Sequence, residues 1–279
     1  MLLLDGRALA ARRLPALRAR ADAVRARRGI APRLGILAFA DATGAAPHVA
    51  GKQRAAVAAG VAVRLDVVQY GAVRADAVAR AAALAAAAAL DAMFVQFPYP
   101  DAAWAPDIEA AIPAALDVDV MSPAAVRRFR EDPAALPPVT VSAALELLDA
   151  HGIDVTGRDG VVVAEPGEFA EQFRLAFARR GARVGPLVAP AAAATDPRLR
   201  AASLVIVAAG RPGLVRAETL ARGAVAIDVG YFNAGGRGDI AIDGGVSHLG
   251  ALAPVPGSIG PMTVSCLLER TIRLAEGRA

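Results

Sequence analysis

The sequence predicts a two-domain α/β protein in which each domain has a parallel sheet covered by helices. Apolar runs of strand length alternate with helical segments, which is typical of parallel sheets. The alternation occurs in both halves of the 279-residue chain. A proline-dense segment at 133–138 separates the halves and indicates a connection between domains.

The first half begins with an amphipathic helix. Apolar residues recur at helical spacing from Leu9 to Val24, and the helix is expected to end at Gly29. Buried strands are expected at 34–39, 61–68 and 92–96. A loop of small residues at 41–47 leads into a crossover helix with Lys52 near its start, and a second crossover helix is expected at 75–90.

The second half repeats the pattern after a helix at about 142–151. Strands are expected at 160–164, 204–208 and 224–228, with a helix at 167–180. A Pro/Gly-rich turn at 254–261 precedes a final helix, about 262–276, that returns to the first domain. The predicted domains are therefore an N-terminal α/β/α domain, 1–120 plus 261–279, and a Rossmann-like domain, 121–260.

Composition and charge restrict the classes of protein. The longest apolar run, 81–90, has ten residues, well short of the ~18 that a membrane span needs. The first residues do not resemble a signal peptide, and the single cysteine, Cys266, favours a reducing cytoplasm. The Arg-rich stretch at 12–28 contains no aromatic residue for base stacking, so it is interpreted as a solvated helix face. We therefore expect neither a membrane nor a nucleic-acid partner.

Lys52 is the only lysine among 31 Lys and Arg residues. Lysine and arginine differ most in their ability to lose the proton, because a guanidinium stays charged while burial can neutralise an ammonium. A lysine that arginine has not replaced is thus a candidate general base. The alternative is that one lysine persisted by chance.

Two further polar residues are expected near Lys52. Ligands of open parallel sheets bind beyond the carboxyl ends of the strands, where Gln96 ends the third strand and Asp119 follows in the loop that leaves the domain. A carboxylate such as Asp119 can accept paired N–H donors from a flat heterocycle. Each residue also has a structural alternative: Gln96 as a loop cap, and Asp117 and Asp119 as ordinary loop acids.

Seven motifs make a more specific pattern. They read HVAGK at 48–52, VQFPYP at 95–100, DVD at 117–119, PVT at 138–140, IDVG at 227–230, GDI at 238–240 and PVPGSIGPMT at 254–263. In order and spacing they resemble the bifunctional methylenetetrahydrofolate dehydrogenase/methenyltetrahydrofolate cyclohydrolase family, the FolD type. The resemblance covers essentially the whole chain, and the 254–263 motif is its most specific part.

The resemblance implies roles for individual residues. Lys52 matches the catalytic lysine, Gln96 the glutamine that tunes it, and Asp119 the aspartate that holds the pterin. Residues matching the family's folate-binding positions are His48, Pro98, Pro254, Pro256, Gly257, Gly260, Pro261 and Thr263. Residues at the family's cofactor positions are Ala164, Glu165, Pro166, Ala208, Gly210, Asp228 and Gly230. The family also implies NADP or NAD as cofactor, no metal, and a cytoplasmic homodimer.

The sequence departs from the family on both sides of the expected site. On the folate side, His48 replaces a tyrosine, Ala45 a serine, Val120 a glycine and Ser258 a further glycine. On the dinucleotide side, Glu165, Glu168 and Glu171 occupy the stretch that normally approaches the phosphates, where acids repel a phosphate. The residues at 188–194 lack the polar groups that read a 2′-phosphate.

The sequence therefore predicts a member of this family that hydrolyses 5,10-methenyltetrahydrofolate to 10-formyltetrahydrofolate, with a weakened or lost dehydrogenase activity. The substrate is a tetrahydrofolate derivative. Two alternatives remain at this point: a non-catalytic folate-binding or regulatory paralogue, and a dehydrogenase with a rebuilt nucleotide site.

Overall fold

The structure is a computed structural model that describes residues 1–40, 45–69, 71–87, 89–230 and 236–278. The chain forms two compact units, one comprising 11–139 and 264–279 and the other 1–10 and 140–263. We call them the N-terminal unit and the Rossmann-like unit. Both contain parallel β-sheets and helices, as expected for the predicted fold class.

The N-terminal unit is built on a three-stranded parallel sheet in the order β3-β2-β4. Its strands are β2 (Arg33–Phe39), β3 (Ala62–Val68) and β4 (Ala92–Val95). The helices that lie wholly within this unit are α2 (Ala45–Ala58), α3 (Arg74–Ala85), α4 (Ala105–Ala110) and α5 (Pro123–Glu131). β2 and β4 are buried along nearly their whole length, which explains their continuous apolar sequences.

The Rossmann-like unit has a six-stranded parallel sheet in the order β1-β11-β9-β7-β5-β6. These strands are β1 (Leu2–Leu3), β5 (Asp159–Ala164), β6 (Arg183–Val184), β7 (Leu204–Ala208), β9 (Val225–Asp228) and β11 (Ala251–Ala253). A separate pair joins β8 (Val215–Arg216) and β10 (Ile240–Ala241). The helices α7 (Glu168–Arg179) and α8 (Pro197–Ala201) lie within this unit.

Three helices contain residues of both units. They are α1 (Gly6–Arg28), α6 (Val139–Ala150) and α9 (Ile259–Glu276). From Val264 onward α9 belongs to the N-terminal unit, so the predicted return of the C-terminal helix to the first domain is confirmed.

The unit boundaries differ from the predicted domains, 1–120 plus 261–279 and 121–260. The first ten residues belong to the Rossmann-like unit because β1 pairs in parallel with β11, with Leu2 opposite Ala251. Residues 121–139 belong to the N-terminal unit, where the side chain of Phe129 is buried. The proline-dense segment at 133–138, which was interpreted as a connection between domains, immediately precedes the crossing between Val139 and Thr140.

Two helices differ from expectation in detail. Lys52 lies in the middle of α2 rather than near its start, because the helix already begins at Ala45 within the predicted loop 41–47; residues 41–44 lie outside the described part of the chain. α3 ends at Ala85 instead of near 90, and Ala89 has a positive φ of 64°. Within the described residues no helix is long and apolar enough to span a membrane.

Candidate active site

Lys52 and Gln96 meet in the N-terminal unit. Nζ of Lys52, on α2, donates a hydrogen bond of 2.8 Å to Oε1 of Gln96, which follows β4. Nε2 of Gln96 donates to the carbonyl oxygen of Phe97 at 2.7 Å. The ammonium also lies 5.3 Å from the ring centroid of Phe94, within cation–π range. The juxtaposition of Lys52 and Gln96 expected from the sequence is therefore present.

The environment of Lys52 favours loss of its proton. Burial lowers the pKa of Lys52 to about 8, while the negative charge of Asp119 opposes this shift. Desolvation penalises the charged form of an amine because the low-dielectric surroundings replace water. A lysine with a pKa near 8 exists partly as the neutral amine at physiological pH, and arginine cannot do this.

Asp119 lies in the loop between α4 and α5. Its Oδ1 accepts a hydrogen bond of 2.9 Å from the backbone N–H of Val139. Burial raises the pKa of Asp119 to about 6, against the opposing effects of the Val139 amide and the Arg270 and Lys52 charges. The carboxyl group is thus largely ionised at neutral pH and electrostatically coupled to Lys52.

Several supporting residues were not predicted from the sequence. Arg270, buried on α9, donates to the carbonyl oxygen of Val118 at 2.9 Å and to that of Pro137. Tyr99 donates to Oε1 of Glu109 at 3.0 Å and packs edge-on against Phe39. Arg270 was not singled out by its charge, because α9 also carries Glu269, Arg273 and Glu276. No sequence pattern predicted the pairing of Tyr99 with Glu109.

The two predicted folate-binding residues of this unit lie close in sequence to the Lys52–Gln96 pair. His48 is partly buried one helical turn before Lys52 on α2, and residues four apart share a helix face. Pro98 follows a cis peptide bond with Phe97. Phe97 itself remains 46% exposed.

The remaining predicted folate-binding residues lie in the Rossmann-like unit. Pro254, Pro256 and Gly257 form the turn after β11, and Pro256 follows a cis peptide bond. Gly260, Pro261 and Thr263 lie in the first turns of α9, where the hydroxyl of Thr263 donates to the Ile259 carbonyl oxygen at 2.9 Å.

The predicted cofactor residues cluster at the carboxyl edge of the Rossmann-like sheet. Ala164 and Ala208 are register partners that end β5 and β7. Asp228 ends β9 and accepts hydrogen bonds from the amides of Gly230, Asp239 and Ile240. Burial raises the pKa of Asp228 to about 7, against the opposing effect of these amides.

Asp239 is a second carboxylate that organises this edge. It accepts hydrogen bonds from the backbone amides of Ala209, Gly210 and Arg211. Asp228 and Asp239 thereby join the turn after β7 to the segment after β9. The hydrogen bonds of both carboxylates therefore hold these two loop segments together.

The turn between β5 and α7 brings acidic side chains to the edge where a nucleotide phosphate is expected. Glu165 forms an ion pair with Arg211 of the turn after β7, and Glu171 in the first turn of α7 pairs with Arg174 at 2.7 Å. These pairs reduce the repulsion that the sequence alone suggests. They also engage Arg211, a cation of this edge that would favour a phosphate if it were unpaired.

Comparison with known proteins places these features in a family. Residues 138–279, just over half of the chain, match the family described as tetrahydrofolate dehydrogenase/cyclohydrolase, NAD(P)-binding domain. A bifunctional FolD protein of Rhodopirellula baltica is 32% identical over 248 residues, 83% of each chain. The chain belongs to the FolD family. A FolD protein of Rubrobacter xylanophilus is also 32% identical, and the match covers 99% of each chain.

Solved FolD structures have the same fold over the whole chain. The bifunctional FolD dehydrogenase/cyclohydrolase of Campylobacter jejuni has a TM-score of 0.88, 26% identity and complete coverage of both chains. A Trypanosoma brucei FolD structure, complexed with NADP cofactor and inhibitor, has a TM-score of 0.89 and 27% identity, covering 99% of this chain and 98% of that one. Family membership and the two-domain fold with a Rossmann-like C-terminal part are confirmed.

Proposed function

We propose that this FolD-family protein hydrolyses 5,10-methenyltetrahydrofolate to 10-formyltetrahydrofolate in one-carbon metabolism. The observation that carries the proposal is the 2.8 Å hydrogen bond between Lys52 and Gln96, together with a Lys52 pKa lowered by burial to about 8. A general base is most effective when its pKa lies near the working pH. Lys52 meets that condition.

The chemical steps follow from the properties of this pair. The water oxygen bonds to the amidinium carbon while the neutral amine of Lys52 takes a proton from the water. The resulting carbinolamine collapses to the formyl group: its hydroxyl loses a proton to solvent as the carbonyl forms, its bond from carbon to N5 breaks, and the Lys52 ammonium returns a proton to N5. One proton is released overall. Gln96 accepts an N–H of Lys52 in either protonation state and so directs the amine toward the reacting carbon.

Asp119 is proposed to anchor the pterin. An ionised carboxylate has two oxygens that can accept the paired N–H donors of a 2-amino-4-oxo ring. The Val139 N–H bonds to Oδ1 alone, which leaves further acceptor capacity on the carboxylate. His48 and the 254–263 segment are proposed to contact the remaining parts of the folate.

We further propose that dehydrogenase activity is weakened or lost. NADP or NAD would supply a hydride acceptor when bound. The Glu165–Arg211 ion pair and the acids of the first α7 turn disfavour binding of its phosphates, although solvent weakens this repulsion because the Glu165 side chain is 58% exposed.

The central test is hydrolysis of 5,10-methenyltetrahydrofolate by the purified protein and its Lys52→Arg variant. We expect turnover by the wild type and a loss of about 10²-fold or more in kcat for Lys52→Arg, because the guanidinium cannot act as a base. The matched control is Arg54→Lys, an exposed position on the same helix, which should leave kcat unchanged. Full activity of Lys52→Arg would refute the role of Lys52.

Two parallel measurements separate the alternatives. Tight folate binding without turnover would favour a non-catalytic paralogue. Reduction of NAD or NADP with 5,10-methylenetetrahydrofolate, at micromolar cofactor affinity, would favour a dehydrogenase with a rebuilt nucleotide site.

The proposal also includes a cytoplasmic homodimer, which light scattering of the purified protein and fractionation of the source cells would test.

A further inference from the structure

The loop that carries Asp119 is held together by its neighbour Asp117. Oδ1 of Asp117 accepts a hydrogen bond of 3.1 Å from the amide of Asp119. Oδ2 accepts hydrogen bonds of 2.9 Å and 2.7 Å from the amides of Met121 and Ser122. Both carboxylate oxygens are therefore used to close one tight turn.

The same turn forces Val120 into an unfavourable backbone conformation. Its φ is 55°, in the left-handed region, where a β-branched side chain clashes with the neighbouring backbone. Such a conformation persists only when the surrounding structure enforces it. The amides held by Asp117 lie immediately before and after Val120, so their hydrogen bonds directly oppose relaxation of this residue.

The turn sets the position of the Asp119 carboxyl group. The amide of Asp119 is held by Asp117, its Oδ1 receives the N–H of Val139 at 2.9 Å, and the carbonyl oxygen of Val118 is held by Arg270 at 2.9 Å. Relaxation of Val120 would rotate the peptide that follows Asp119 and redirect its side chain. We propose that Asp117 is a positioning residue for the folate site, whose hydrogen bonds keep Val120 left-handed and so aim Asp119 at the pterin. This inference rests on the proposed function.

The substitution Asp117→Asn tests the role with little change of shape. An amide keeps one acceptor oxygen, but its NH₂ group would face at least one of the three backbone donors. The turn would lose hydrogen bonds and gain a donor–donor contact. We expect KM for 5,10-methenyltetrahydrofolate to rise about tenfold while kcat falls less than about threefold, since Lys52 and Gln96 keep their geometry.

A second substitution tests the connection through Val120. Glycine adopts positive φ without steric cost, so Asp117→Asn/Val120→Gly should return KM to within about threefold of the wild type. The Val120 side chain is 8% exposed, so its removal should also lower the melting temperature. A general loss of stability would not improve substrate binding. A lower KM in the less stable double variant would therefore point to the connection through Val120.

Ala89→Gly provides the matched control. Ala89 also has a positive φ, 64°, and lies outside the Asp117 turn. Added to Asp117→Asn, it should raise the melting temperature by relieving left-handed strain while leaving KM elevated. If Asp117→Asn is insoluble, Asp117→Glu replaces it, because the longer side chain displaces the carboxylate and carries the same expectation.

The outcomes separate this inference from the proposed function. Unchanged KM in Asp117→Asn, or equal recovery of KM by Ala89→Gly, would overturn the positioning role while the wild type still turned over substrate. An inactive wild type would instead refute the proposed function. A tenfold KM increase that Val120→Gly alone reverses would support the inference.

Discussion

Nζ of Lys52 lies 2.8 Å from Oε1 of Gln96, while Nε2 of the same glutamine donates to the Phe97 carbonyl oxygen at 2.7 Å. The second hydrogen bond allows only one orientation of the amide, with its oxygen toward the lysine. Gln96 is buried, so exchanging the two amide groups would place two donors face to face. The lysine is thus held by a neutral acceptor in a partly desolvated position.

We expect kcat/KM to rise with pH in two steps. Asp119 should ionise near pH 6 and gain its capacity to accept two N–H groups, and Lys52 should lose its proton near pH 8 and become a base. Initial rates of methenyl hydrolysis between pH 5 and 9, corrected for the reaction without enzyme, would show both steps. Asp119→Asn should remove the lower step and move the upper one to lower pH, because the Asp119 charge raises the Lys52 pKa.

A His48→Gln variant controls for titration of the imidazole. Both steps should persist in this variant. A step that vanished in His48→Gln would belong to the imidazole and contradict the assignment to Lys52 or Asp119.

We expect Lys52→Met to be more stable than the wild type at neutral pH. Folding lowers the Lys52 pKa from 10.5 to about 8. Between these pH values the Lys52 side chain is therefore protonated in the unfolded protein and neutral in the folded protein. Wild-type stability should therefore increase with pH across this window, by about 2 kcal/mol between pH 7.5 and 9.5, and decrease as pH falls through 8. Urea unfolding at the two pH values measures the change.

The Lys52→Met variant should lack this pH-dependent gain, and its stability at pH 7.5 should exceed that of the wild type by about 1 kcal/mol. Arg54→Met, on an exposed part of the same helix, should retain the wild-type dependence. An identical pH dependence in Lys52→Met and the wild type would show that another group is responsible.

We expect Glu165→Gln to strengthen NADP binding. The substitution removes a carboxylate and releases Arg211 from its ion pair, so a cation becomes available for phosphate. Calorimetric titration should show wild-type Kd above about 1 mM and several-fold tighter binding by the variant, with the gain reduced at high salt.

Asp159→Asn is the matched control for this titration. It releases Arg183 from an exposed ion pair at the opposite end of β5 and should not change NADP affinity. Micromolar NADP binding by the wild type would contradict the assignment of an unfavourable phosphate site.

We expect Gly238→Ala to destabilise the Rossmann-like unit. A Cβ at this position would lie 1.9 Å from Oδ2 of Asp228, so the carboxylate would have to move and would lose hydrogen bonds to three backbone amides. The expected cost is about 3 kcal/mol, or a decrease of roughly 6–12 °C in melting temperature.

Gly185→Ala, whose Cβ meets only Arg198 at 3.9 Å, should melt within about 2 °C of the wild type. Equal melting temperatures for both variants would refute the steric argument.

Sequence patterns predicted the central strands and the Lys52–Gln96 pair because both depend on local signals. Apart from the charged first residues of β2 and β5, the strands β2, β4 and β5 are apolar, as is typical of buried parallel strands. Lys52 was detectable because it is the only lysine. Its proximity to Gln96 was predicted from the rule that helix–strand connections bring side chains to one edge of the sheet, although Lys52 lies in the middle of α2 and not near its start.

Other features depend on contacts between distant residues. β1 is two residues long and pairs with a strand near the other end of the chain, so no local pattern marks it. The alanine-rich run at 81–90 suggested a longer α3 because alanine favours helices, but Ala89 adopts a left-handed conformation after the helix ends. The hydrogen bonds of Asp117 and Arg270 likewise depend on backbone groups that only the folded chain brings within reach.

The pairing of β1 with β11 has a consequence for biosynthesis. Leu2 and Leu3 are synthesised long before their partners Ala251 and Leu252. The edge of the six-stranded sheet therefore cannot close until residues 251 and 252 have been made, and residues from 264 onward, which belong to the N-terminal unit, emerge later still. A nascent chain interrupted before residue 251 would expose unpaired strands of the Rossmann-like sheet, which are sites for aggregation or chaperone binding.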